Sequence, residues 1–149
     1  MSQINDITSQ LAEWLRNESF TPPLRAVSPV ELTPPALYPY AVILVDEEAF
    51  GPADGDVTAA LRLRVAHAAG RPADAQFTVR ELAHQLRTAL GCSHGLGGGV
   101  LRLRCGAIRY GLQRPAAQAG EGAQLLPAGD GVVHYAEIAL TAKYHTETL

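Results

Sequence analysis

The stretch Val79 to Leu90, VRELAHQLRTAL, decides the fold. Its apolar residues, Val79, Leu82, Ala83, Leu86 and Leu90, recur at helical spacing on one stripe. Arg80, Glu81, His84, Gln85, Arg87 and Thr88 take the opposite face. Strand-like runs lie on either side of it. A sheet has an apolar face to bury, and an amphipathic helix placed between strands is the element that covers it.

Upstream, Asp56 to Ala68, DVTAALRLRVAHA, alternates: Leu61, Leu63 and Val65 point one way, Arg62, Arg64 and Ala66 the other. Before it, Tyr40 to Asp46, YAVILVD, is a short run rich in β-branched residues that fits a strand buried on both faces. EEAFGPADGD between them reads as a loop, so the two runs predict an antiparallel hairpin with a wide connection. Gly70, Arg71 and Pro72 end the second run. The helix then starts either at Ala75 with Asp74 as cap, or later with Thr78 and Glu81 as a capping box. Gly91 stands at its C′ position, and GCSHGLGGG reads as a flexible turn.

Downstream, Val100 to Leu112, VLRLRCGAIRYGL, alternates again, with Leu101, Leu103 and Cys105 against Arg102 and Arg104. Gly106 interrupts the alternation and marks a bulge or a change of register. Gln113 to Asp130 is a long loop of small and polar residues. Gly131 to Tyr144, GVVHYAEIALTAKY, is the last strand. Val132, His134, Ala136, Ile138, Leu140, Ala142 and Tyr144 share one of its faces. Val133, Tyr135, Glu137, Thr141 and Lys143 share the other.

At the other end, Ile4, Ile7, Leu11, Trp14 and Leu15 define a helix over Ile4 to Asn17, capped by Asn5 or Asp6. The segment Phe20 to Pro39 holds six prolines, which exclude a helix or a long central strand. Leu24 to Val27 within it suits a short edge strand. The order is α-(β)-β-β-α-β-β. This predicts a single α+β domain over residues 1–149, with two helices on a mixed or antiparallel sheet of about four strands.

Composition narrows the function. The chain has 149 residues, 47% of them hydrophobic, enough for a core. Charged residues make up 18%, below the roughly 25% of an average domain, and the net charge is −3 with no basic block. Nucleic-acid recognition is therefore not expected. No apolar run approaches a membrane span, and the N-terminus lacks the apolar region of a signal peptide. The two cysteines, Cys92 and Cys105, form no CxxC pair, which fits reduced thiols in a cytoplasm.

No motif carries catalysis. Cys92, Ser93 and His94 are neighbours, but a nucleophile–base pair needs aligned side chains and an orienting third group, and GLGGG beside them is a poor scaffold. The glycines precede a strand and not a helix, so they form no phosphate loop. His67 and His134 lie in strands and can meet across a sheet, yet a metal needs a further ligand. No cofactor, metal or catalytic residue is expected. Candidate contact residues are charged. Glu47, Glu48, Asp54 and Asp56, with Asp46, surround one loop but lack calcium-loop spacing. Arg62 and Arg64 on one strand, and Arg102 and Arg104 on another, give four positive charges on one sheet face if both sets point the same way. Such a face suits an acidic surface on another subunit.

The element order resembles a known family. An N-terminal helix, a proline-containing lead into YPYAVILVD and a long Arg-decorated strand come first. The helix of DAQFTVRELAHQLRTAL follows, then a strand, a long loop and GVVHYAEIALTAKY. Together these resemble the small tail terminator or tail completion proteins of long-tailed, lambda-like or Mu-like bacteriophages and prophages. The resemblance implies a non-enzymatic protein that forms a ring with itself, usually of six subunits. Such a ring caps the tail tube, ends tube polymerisation and presents a docking surface to the head connector. Tail tube and head-connector proteins are then its partners, in the bacterial host cytoplasm during assembly and in the virion tail. The family offers no motif residues to carry over one by one. The competing expectation is a small α+β enzyme or ligand-binding domain with Cys92, His94 or His134 in a pocket. A bacterial adaptor or secretion-system part is a third.

Overall fold

The computed structural model describes residues 2–31, 37–51, 55–92, 100–113 and 132–145. Its elements are α1 (Gln3–Asn17), β1 (Ala26–Ser28), β2 (Tyr40–Phe50), β3 (Asp56–His67), α2 (Pro72–Cys92), β4 (Val100–Gln113) and β5 (Val133–His145). The strands form one five-stranded sheet in the order β1-β2-β3-β5-β4. β1 runs parallel to β2, and every other pair is antiparallel. The α+β class is as expected; the short proline-bordered edge strand brings the sheet from four strands to five.

The period-two pattern of β3 and β5 sorts their side chains between faces. Leu61, Leu63, Val65, Ala136, Ile138 and Leu140 are all at most 2% exposed and face the helices. α2 answers with Ala75, Val79, Leu82, Ala83, Leu86 and Leu90, none more than 3% exposed. It packs on β3, β5 and β4, while α1 lies over β1 and β2. α1 contributes Ile4, Ile7, Leu11 and Leu15, with Trp14 packed at the margin of the same core. Gln85 on the polar side of α2 is tied to the chain before β1: it donates to the Thr21 carbonyl at 2.7 Å and accepts from the Thr21 N–H at 3.0 Å.

Several boundaries differ from the sequence expectation: β1, expected over Leu24 to Val27, spans Ala26–Ser28, and the ends of α2 and β2 move as well. α2 begins at Pro72, because a proline at the first helical position gives up an N–H that has no helical partner anyway. It also continues past Gly91 to Cys92. β2 extends through Glu47, Glu48 and Ala49 to Phe50, where a loop was expected. The extra residues are held by pairing with Val57 to Ala60 of β3, past a bulge between Val45 and Glu47. At the end of the ladder Gly51 N–H donates to the Asp56 carbonyl at 2.8 Å, and Gly55 takes a φ of 83°. In β4 the expected irregularity at Gly106 is present as a register shift between Cys105 and Ile108. The long loop, 114–130 of the expected Gln113 to Asp130, lies outside the described residues, as do Ser93 and His94.

Leu86 sits fully buried at the centre of the helix–sheet contact. Leu86→Ala is expected to cost about 2–5 kcal/mol, and Phe77→Ala, on the exposed side of the same helix, within about 0.5 kcal/mol of nothing. Denaturant unfolding of the two variants checks the ranking.

Candidate functional site

The sheet face turned away from the helices carries the charged residues. Pairing places Leu44 opposite Arg62 and Arg62 opposite Ala139; it places Val42 opposite Arg64 and Arg64 opposite Glu137. At the centre of this face Glu137 accepts from both arginines: Arg62 Nη1 at 2.9 Å and Arg64 Nε at 2.8 Å. Arg62 Nε also donates to both oxygens of Asp46, at 2.8 and 3.0 Å. Arg64 Nη1 reaches Glu31 at 3.5 Å, and its guanidinium lies 5.2 Å from the Tyr135 ring centroid. The hydrogen bond to Asp46, with the charges of Glu137 and Asp46, holds the Arg62 pKa above its ordinary value against desolvation. Tyr135 finds its room over Gly111, where a Cβ would stand 2.5 Å from the tyrosine oxygen.

The four arginines lie on one sheet face, the condition the sequence reading set. Arg102 and Arg104 do share the face of Arg62 and Arg64, since they pair with Lys143 and Thr141 of β5. Arg62 and Arg64, however, are neutralised from within by Asp46, Glu137 and Glu31. Arg102, Arg104 and Lys143 are exposed and make no ion pair among the described residues. The acidic group is likewise redistributed. Asp46 lies in β2 and Asp56 opens β3, as expected, while Glu47 and Glu48 belong to strand β2 and not to a loop, and Asp54 lies outside the described residues. Glu48 accepts the Tyr144 hydroxyl at 2.6 Å; burial first, then Glu48, raises that hydroxyl's pKa. Asp56 lies 3.1 Å from His145 Nδ1. Glu47 is exposed and makes no ion pair among the described residues. Glu137 and Glu31 escaped the sequence reading. The sole acid in the last strand was a usable signal, but only strand order shows that β5 lies beside β3.

The histidines expected to meet across the sheet do so: His67 pairs with His134. His134 is 6% exposed. His67 Nδ1 and His134 Nε2 are both buried without a hydrogen-bond partner among the described residues. Burial alone depresses the His67 pKa. Among the described residues no third histidine, cysteine or carboxylate joins them as a metal group. A hollow of about 530 Å³ between the end of α1 and β1 is lined by Leu15, Arg16, Phe20, Leu24, Val27 and neighbours, without cysteine or histidine. Among the described residues no helix is long and apolar enough to cross a membrane. No protein-family model matches the chain, and no curated protein is significantly similar to it.

Glu137→Gln keeps the shape of the central carboxylate but removes the charge that two arginines share. It is expected to destabilise the fold by about 1–3 kcal/mol, a range discounted for the partial exposure of Arg62, as read from denaturant unfolding. His67 gives a pH signature. Its folded pKa lies below the unfolded value of about 6.5, so the unfolded chain takes up the proton first as pH falls. Stability is thus full above about pH 6.5 and declines below it. Thermal unfolding from pH 7.5 to 5 is expected to show a smaller decline in His67→Gln than in the wild type.

Proposed function

We propose that this chain is the subunit of a self-assembled ring that caps a phage tail tube, ends its polymerisation and offers a surface to the head connector. The observation that carries the reading is the pair of long open edges on the sheet. β1 pairs with β2 at Tyr40, Ala41 and Val42 alone, so Ile43 to Phe50 has no strand on its outer side among the described residues. β4, from Val100 to Gln113, has β5 on one side and, among the described residues, no strand on the other. Each edge presents backbone N–H and C=O groups ready to pair with another chain. Two different edges on opposite sides of one subunit suit a heterologous contact, which closes into a ring when its rotation permits.

The resemblance of the element order to tail terminator proteins supplies the rest of the reading: the tube and the connector as partners, and a ring of six. The braced sheet suits such work. Two helices stiffen one face, while the other face and both edges stay available for contacts. The charge network of Arg62, Arg64 and Glu137 is a structural feature in this reading and not a reacting centre.

Light scattering across a concentration series is expected to show a closed oligomer, near six copies, and sedimentation with purified tail tubes to show it bound at tube ends. A chain that stays monomeric at every concentration and leaves tubes untouched overturns the reading.

A further inference from the structure

The strand register links the two open edges. Following the pairs across the sheet, Glu47 stands opposite Ala60, Ala60 opposite Thr141, and Thr141 opposite Arg104. The neighbouring row runs from Ala49 through Thr58 and Lys143 to Arg102. Both rows lie on the face away from the helices. An acid without an ion pair among the described residues therefore ends a row at one edge, and an arginine without one ends the same row at the other. Strand direction fits as well. β2, β3, β5 and β4 alternate in direction, so β2 and β4 of one subunit are antiparallel. A second copy set beside the first in the same orientation brings its β2 against β4 as a further antiparallel pair.

Bulges mark out the segments that can pair. On β2 the shift between Val45 and Glu47 bounds the regular run Glu47–Phe50 from below. On β4 the shifts between Val100 and Arg102 and between Cys105 and Ile108 bound the run Arg102–Cys105 on both sides. Bulges elsewhere along an edge discourage indiscriminate pairing. Here they leave short runs at the same height on each edge.

Resting on the ring reading above, we propose that subunits join edge to edge. Arg102–Arg104 of β4 in one copy pairs antiparallel with Glu47–Ala49 of β2 in the next, Arg104 facing Glu47. The occupant of each edge is thus a second copy of this chain, selected by charge. Arg102 lies diagonally across from Glu47, and Lys143 behind Arg102 adds to the positive side. Cross-strand pairs of opposite charge favour this register, and like charges disfavour the alternatives that place β2 beside β2 or β4 beside β4.

The test uses the full chain. In a background with Cys92→Ala and Cys105→Ala, Ala49→Cys and Arg102→Cys are introduced together. Within one subunit these positions lie three strand spacings apart, about 14 Å, too far for a disulfide, which needs Cα atoms within about 7 Å. Mild oxidation is expected to give a ladder of covalent oligomers ending at the ring size. In parallel, Arg104→Glu and Glu47→Arg are each expected to weaken self-association at least about tenfold, and the double exchange in one chain to restore it. Restoration separates a lost contact from a misfolded variant. Rings that form without cross-linking, and that tolerate both single exchanges, overturn the edge pairing while leaving the ring reading in place. A wild-type chain that never associates overturns both.

Discussion

The structure depends on the two-residue alternation of β3 and β5 against a helix-covered face that has no room for a charge. Leu61, Leu63 and Val65 alternate with Arg62 and Arg64, and Ile138 and Leu140 with Glu137 and Ala139. A slip of one residue in either strand would carry an arginine or a glutamate beneath α2 and bring leucines to the surface. Burying an unpaired charge costs far more than a pleated contact supplies. The register is therefore fixed by exclusion, and everything else on the sheet inherits it. The meeting of Glu137 with both arginines, the juxtaposition of His67 and His134, and the rows that run from edge to edge all follow from it.

The central charge cluster belongs to this same constraint. Arg64 and Glu137 side chains are only 18% and 14% exposed, so each needs a partner. Glu137 serves two arginines at once, and Asp46 takes the second arm of Arg62 because the β2 bulge leaves that residue outside the β2–β3 register, beside Arg62. Below the cluster the same face turns apolar, with Tyr40, Val42 and Ala66 packed against Tyr38, Leu44 and Tyr135. The charges at the centre of the face are thus paired with one another, and charge without an ion pair among the described residues remains at the margins.

Local pattern made much of this legible. The helical stripe of Val79 to Leu90, the alternation around Leu61 to Val65 and the break at Gly106 each report on a residue's near neighbours, and each agrees with the structure. What depends on strand order did not emerge. Nothing local to HYAEIAL says that Glu137 meets Arg62 and Arg64, because that follows only from the pairing of β5 with β3. The length of β2 was hidden for a related reason. EEAF carries polar residues that suit a loop, yet an extended partner at Val57 to Ala60 recruits it into the ladder. Tertiary pairing overrides a weak strand propensity whenever the backbone groups would otherwise stay unpaired.

The division between paired and unpaired charge bears directly on assembly. A face with four free arginines would attract any acidic surface and repel its own copies. With Arg62 and Arg64 neutralised internally, the positive charge that remains lies along β4, and an exposed carboxylate, Glu47, lies along β2. In the proposed ring, opposite charges at opposite edges would give the subunit a direction: head would meet tail, and head would not meet head. That polarity is what a closed ring requires of a single kind of chain. The bulges then act on the same choice. They shorten the regular part of each edge, so in the proposed pairing the backbone alone would give too little to hold a mismatched neighbour, and the charge at that height would decide which neighbour stays.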